Sequence, residues 1–130
     1  MAFGLASGEA AKILDAIGNA TNYTAPTAFW IQLHTADPGA AGTTAIAGNA
    51  TRKQVSFGAA SGGAIANDTA VTWTTGEVTT SEDYPPWSAW TLSAAGTFLA
   101  SGTMTANAVT AGDSFTIPIG DIDLTLSAAA

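Results

Sequence analysis

Residues 28–39, Ala28-Phe29-Trp30-Ile31-Gln32-Leu33-His34-Thr35-Ala36-Asp37-Pro38-Gly39, carry the pattern that decides the fold. Phe29, Ile31 and Leu33 alternate with Trp30, Gln32 and His34. A period of two over 28–35 marks a strand and turns one apolar face toward a core. Trp30 on the opposite face predicts that this second face is at least partly covered too. Asp37-Pro38-Gly39 then ends the strand as a turn, because proline presets φ and glycine permits the backbone reversal.

Working outward, the same period recurs downstream. In 51–57, Val55 and Phe57 share one face, with Arg52, Gln54 and Ser56 on the other. Short strand candidates follow at 64–67, 70–73 and 77–80. Segments 87–92 and 97–104 form a predicted hairpin about Ala95-Gly96. Pro118 limits a strand at 115–119 to an edge or a bulge. Ile122, Leu124 and Leu126 alternate with Asp123 and Thr125. Strands from about 28 to 126, spaced by roughly eight to twelve residues, predict a mainly β chain. The expected fold is an antiparallel β-sandwich, jelly-roll or Ig-like, in a single domain over 1–130.

Upstream, only one segment has helical spacing. Ala10, Ile13, Leu14 and Ile17 fall at i, i+3, i+4 and i+7, one face of a 3.6-residue period. Ser7 is the expected N-cap and Gly18 the stop signal, giving one short N-terminal helix over about 7–18. A helix this short cannot stand alone in water, so its apolar stripe should dock on the sheet or on a partner chain. Segments 40–50 and 58–63 are loops of small residues. A loop as long as 40–50 is expected to be a contact arm.

Composition narrows the chemistry. The chain has 130 residues, three cations, ten carboxylates, one histidine and no cysteine, for a net charge of −7. The hydrophobic fraction of 47% is inflated by 29 alanines, so the core should be thin and association should add stability. Absence of Cys and a single His exclude thiol catalysis and Cys₂His₂-type zinc sites. Three cations cannot supply a nucleic-acid footprint, and no apolar run reaches the roughly 18–20 residues of a membrane span. Met1 to Leu5 lack the pattern of a secretory signal, which leads to the expectation of synthesis in a host cytoplasm.

Several constellations could carry function. His34 and Asp37 could form an acid–base pair, but local hydrogen bonding is the favoured reading. Asp113, Asp121 and Asp123 could hold Ca²⁺ through oxygen ligands, against solvated turn residues as the plainer account, and no metal or cofactor is expected. Glu82 and Asp83 are adjacent on an extended segment and point apart, a poor arrangement for glycosidase carboxylates. The 58–63 loop lacks the lysine of a phosphate loop. Tyr84, Trp87 and Trp90 could stack on sugars, with core or interface packing the favoured account. Arg52 is expected to pair with a carboxylate, internally or across an interface, and to serve as an anchor. The candidate interface set is Arg52, Trp30, Tyr84, Trp87, Trp90, Ile13 and Ile17.

The heptapeptide Leu33-His34-Thr35-Ala36-Asp37-Pro38-Gly39 resembles a signature of small tailed-phage virion proteins. The Arg52-containing strand, Gly62-Gly63-Ala64-Ile65-Ala66-Asn67, the Gly96–Gly102 hairpin and Ile117-Pro118-Ile119-Gly120-Asp121-Ile122-Asp123-Leu124 extend the likeness over about 10–126. Asn49-Ala50-Thr51-Arg52 stands where that family often has Tyr-Ala-Arg. Members are variously labelled minor tail, tail-fibre or capsid decoration proteins. The resemblance implies a non-enzymatic structural subunit of the virion that binds other virion proteins, major capsid or tail proteins, and forms homo-oligomers. Capsid-surface decoration is the favoured expectation. The alternative is a minor tail or tail-fibre protein with a receptor- or carbohydrate-binding role. Neither nucleic acid nor membrane is an expected partner.

Overall fold

The computed structural model describes residues 3–105, 108–127 and 129. Met1 and Ala2, part of the segment read for a secretory signal, lie outside them. In chain order the elements are β1 (Gly4–Leu5), α1 (Ser7–Gly18), β2 (Phe29–Leu33), β3 (Lys53–Val55), β4 (Ala64–Ala66) and β5 (Val71–Trp73). They continue with β6 (Glu82–Asp83), β7 (Pro86–Trp90), β8 (Phe98–Thr103), β9 (Ala108–Val109), β10 (Phe115–Ile117) and β11 (Asp123–Thr125). The main sheet has five strands in the order β1-β8-β7-β2-β3, and three two-stranded ladders pair β10 with β5, β11 with β4 and β6 with β9. Every described pairing is antiparallel. The molecule is thus mainly β, sandwich-like, with a single short helix among the described residues.

Alternation along the strands builds the core. Ile31 and Leu33 of β2 sit opposite Ala89 and Trp87 of β7, and these side chains are buried together with Val55, Leu99 and Ala100. The β5–β10 ladder covers them with Val71, Trp73, Phe115 and Ile117. Trp73 fastens this layer to the main sheet by donating its indole N–H to the Thr51 carbonyl, 2.7 Å away. Tyr84 packs edge-on against Phe115 with ring centroids 5.1 Å apart. Buried Asn67 joins β4 to the end of the chain. Its amide donates to the Thr69 and Pro118 carbonyls, and its oxygen accepts from the Gly120 and Ile122 N–H groups.

The hairpin between β7 and β8 forms where expected, with Ala95 and Gly96 both at positive φ. Pro118 falls just after β10, which has a single strand neighbour and so needs no ladder donor there. Three local expectations are corrected. Residues 77–80 form no strand, because Glu77 closes a turn on Thr74 by accepting its N–H and hydroxyl. Ser7 is the first helical residue rather than the N-cap; Ala6 takes that place, with no side-chain cap. Gly18 ends the helix, Asn19 caps it, and it is Ala20 that adopts the left-handed backbone at φ 52°.

The helix also docks differently from the stripe its sequence shows. Glu9 is its buried residue, whereas Leu14 is 66% and Ile17 78% exposed. The Ala6 N–H bonds the Leu99 carbonyl at 2.8 Å, which ties the first turn to β8 and leaves the last turn outside the core. Nor is segment 40–50 a free arm. Ala47 and Asn49 are buried, and Gly42, at φ 70°, lies so close to the Phe98 ring that a Cβ would overlap it.

Candidate functional site

The outer face of the main sheet carries a buried polar network. Gln32 projects from β2 and His34 from the residue just after it, and Ser88 and Trp90 project from β7. Alternation places Ser88 and Trp90 on the face opposite Trp87. Trp90 Nε1 donates to Ser88 Oγ at 2.8 Å, and Ser88 Oγ lies 2.7 Å from His34 Nε2. His34 Nδ1 lies 2.8 Å from the Thr44 carbonyl, which can only accept. The hydrogens therefore order themselves in one direction, from the indole to the hydroxyl, from the hydroxyl to Nε2, and from Nδ1–H to Thr44. A neutral imidazole satisfies the whole chain.

Arg52 closes the other end of this network. Its Nε donates to Gln32 Oε1 at 3.0 Å, and one terminal nitrogen donates to the Leu92 and Ala95 carbonyls at 3.0 and 2.7 Å. The guanidinium lies 4.2 Å over the Trp90 ring, a cation–π contact. Arg52 therefore caps the β7–β8 turn and has no carboxylate partner among the described residues, so the internal form of the expected ion pair is not made. Trp30, half-buried, is the cross-strand neighbour of Trp90. Arg52, Trp30 and Trp90 are thus the part of the candidate set that the fold brings together.

The rest of that set separates. Tyr84 and Trp87 have no exposed surface, so they belong to the core and offer no face to a partner or a sugar. The reason is local. Trp87 sits opposite Gly102, and the missing side chain makes the space its ring fills. Asp37 accepts the Gly39 N–H at 2.9 Å as part of its own turn and makes no acid–base pair with His34. Glu82 is engaged by the Gly48 N–H through both oxygens, at 2.7 and 3.0 Å. Asp113 accepts the Thr110 N–H of its turn. Among the described residues no three His, Cys, Asp or Glu side chains gather as metal ligands. Ser88 beside His34 is enclosed on every side, with no exposed surface on either residue, so the pair has no access for a substrate.

A second feature was not visible in the sequence. An apolar groove of about 550 Å³ opens between the helix and the β4–β11 ladder. Leu5, Ile13, Phe29, Phe57, Ile65 and Leu124 are among the residues of its wall. Phe29 and Phe57 meet edge-to-face at 5.1 Å. Ile13 is thus at the groove, while Ile17 lies further along the helix and is exposed. Glu9 supplies the polar point of this wall, accepting from the Tyr23 hydroxyl and from Lys12. Burial and the neighbouring Glu9 carboxylate push the Tyr23 phenol up to about 12. Ile13, Phe57, Leu124 and Leu126 were each marked as apolar by the sequence periods, but their meeting in one groove depends on where the helix docks.

A family model described as Podophage GP4 fiber I protein gp80 matches residues 5–125. The chain belongs to this family. The match covers the helix, the main sheet except Gly4, and all the ladders, so the polar network and all of the groove wall except Leu126 lie within the shared region. A chain of the gp80 fibre family is a phage structural protein and a component of the virion, as the resemblance implied in its coarser form. No curated protein matches the chain.

Proposed function

We propose that the protein is a non-enzymatic subunit of a podophage tail fibre, made in the host cytoplasm and built into the virion through contacts with other virion proteins, including further copies of itself. The observation that carries this reading is the family match over 5–125. The side chains agree with it. His34, Ser88, Glu82 and Asp113 are each committed to holding backbone or a neighbour in place. The surface offers instead an apolar groove beside exposed Leu14 and Ile17, a surface suited to packing against subunits. Of the three rings on which a sugar-binding role was to rest, Tyr84 and Trp87 are enclosed, which favours the structural reading. Mass spectrometry of separated heads and tails tests the assignment. Tens of copies or fewer, in the tail fraction, are expected. Hundreds of copies on the head would favour capsid decoration, and absence from purified virions would remove both.

A further inference from the structure

We propose that His34 is an acid-sensitive latch: it holds segment 35–46 closed over the outer face of the main sheet and releases it when the imidazole takes up a second proton. The histidine's hold on the segment is one hydrogen bond. His34 Nδ1–H reaches across to the Thr44 carbonyl, and the ring has no exposed surface. Its Nε2 must stay unprotonated to accept from Ser88, whose oxygen already receives the Trp90 indole N–H. A proton on Nε2 would turn that nitrogen into a second donor aimed at the same oxygen, beside the Trp90 indole. The Ser88 hydrogen would then be left buried without an acceptor, which disfavours the closed form. The imidazolium would also be enclosed with no carboxylate bonded to it. Water can reach the ring only if the segment above it lifts.

The segment is poised for that motion. Thr44 and Ile46 are exposed, and Ala45 between them is left-handed at φ 51°. An alanine in that region is strained by its Cβ, and opening relieves that strain. Besides the histidine, the segment is held down by the buried Pro38 and by Gly42 on Phe98, and the residue after it, Ala47, donates its N–H to the Leu33 carbonyl. The charged groups acting on the ring are Arg52, which opposes its protonation, and Asp37, which favours it. Burial sets the imidazole below its ordinary value of 6.5, against the pull of the Thr44 and Ala45 carbonyls. The sign follows: the closed form is fully favoured above pH 6.5 and loses that advantage as pH falls toward the lowered value.

The chain has no cysteine and a single histidine, so one thiol and one imidazole can each be followed without overlap. Ser101, buried on β8, faces Gly39 and Ala40 across a small cleft, and Ser101→Cys places a near-isosteric thiol beneath the segment. Its labelling by dithiodipyridine is measured against a free thiol peptide at each pH, with the His34 ring signal followed by NMR and backbone content by circular dichroism. Between neutral pH and about one unit below the ordinary histidine value, relative labelling should rise about tenfold. Its midpoint should coincide with the His34 titration while the dichroism stays constant, and in a His34→Gln background the rise should vanish. Flat labelling while His34 titrates would overturn the latch. So would labelling that rises only as the dichroism collapses, or a rise that survives in folded His34→Gln. If His34→Gln does not fold, the coincidence of the two curves in the Ser101→Cys protein decides.

Discussion

Gly102→Ala is a sharp test of the packing that encloses Trp87. A Cβ on Gly102 would lie 2.6 Å from Trp87 Cε2 and 3.1 Å from Nε1, and closer still to Cζ2. Ordinary carbon contacts are about 3.5–4.0 Å, so the ring or β8 must move by about 1 Å. Trp87 has no exposed surface, and Leu33 stands opposite it on the other neighbouring strand, so the ring cannot swing away. Overpacking of this kind costs about 1–3 kcal/mol, and the closeness of the backbone-borne Cβ places it at about 2–3. For a chain of this length that lowers Tm by about 7–11 °C. The assay is urea unfolding followed by circular dichroism, with an expected fall in midpoint of about 1–2 M at unchanged slope. Trp87→Phe should relieve the overlap and also remove an indole N–H that has no partner. The double variant should therefore be more stable than the sum of the singles by about 1 kcal/mol or more. Gly76→Ala, with open space around its Cβ, serves as the control and should stay within about 0.5 kcal/mol of the parent. A Gly102→Ala protein as stable as that control, or strictly additive singles, would refute the account of why this glycine is there.

Other outcomes follow from single side chains. Asn67→Ala leaves four backbone groups without their partner, and calorimetry should register a loss of about 2–3 kcal/mol. Arg52→Lys keeps the charge but loses the planar fork on Gln32, Leu92 and Ala95 and the stack on Trp90. Urea unfolding should show a loss of about 1–2 kcal/mol, and tryptophan emission should shift. Tyr23 should form tyrosinate only near pH 12 in the folded protein. Its neutral form contributes stability in full below pH 10, and that contribution is lost as pH rises toward 12. Glu9→Gln should bring the absorbance titration of Tyr23 back toward 10, and an unchanged midpoint would argue against the Glu9 contact. Ile17→Ser, at a position 78% exposed, should leave the melting temperature nearly unchanged, so any effect on incorporation into particles would report assembly rather than folding.

The parts legible in the sequence are those set by local rules. Alternation at 28–35 and 122–126 located strands, because a pleated backbone sends successive side chains to opposite faces. Ala95-Gly96 located the hairpin, since its two positive φ values demand turn chemistry. The helix span was legible from its 3.6-residue period, but not its orientation. Ile13, Leu14 and Ile17 promise one buried stripe, yet the Ala6–Leu99 bond and the Glu9–Tyr23 contact decide which side meets the body.

Partnership across the fold was decided by tertiary structure alone. Nothing in Pro86-Trp87-Ser88-Ala89-Trp90 distinguishes a Trp that fills the space over Gly102 from one that supports an arginine, because the difference lies in what the neighbouring strand and loop present to each face. The same holds for His34. Its position on a strand face beside a turn was plain from the sequence, but its two partners come from Thr44, ten residues away, and Ser88, 54 residues away. Sequence order determines the direction in which each side chain points. The desolvation that makes an imidazole a buried strut, an arginine a carbonyl cap and a phenylalanine pair the wall of a groove arises only when distant segments exclude water from the same place.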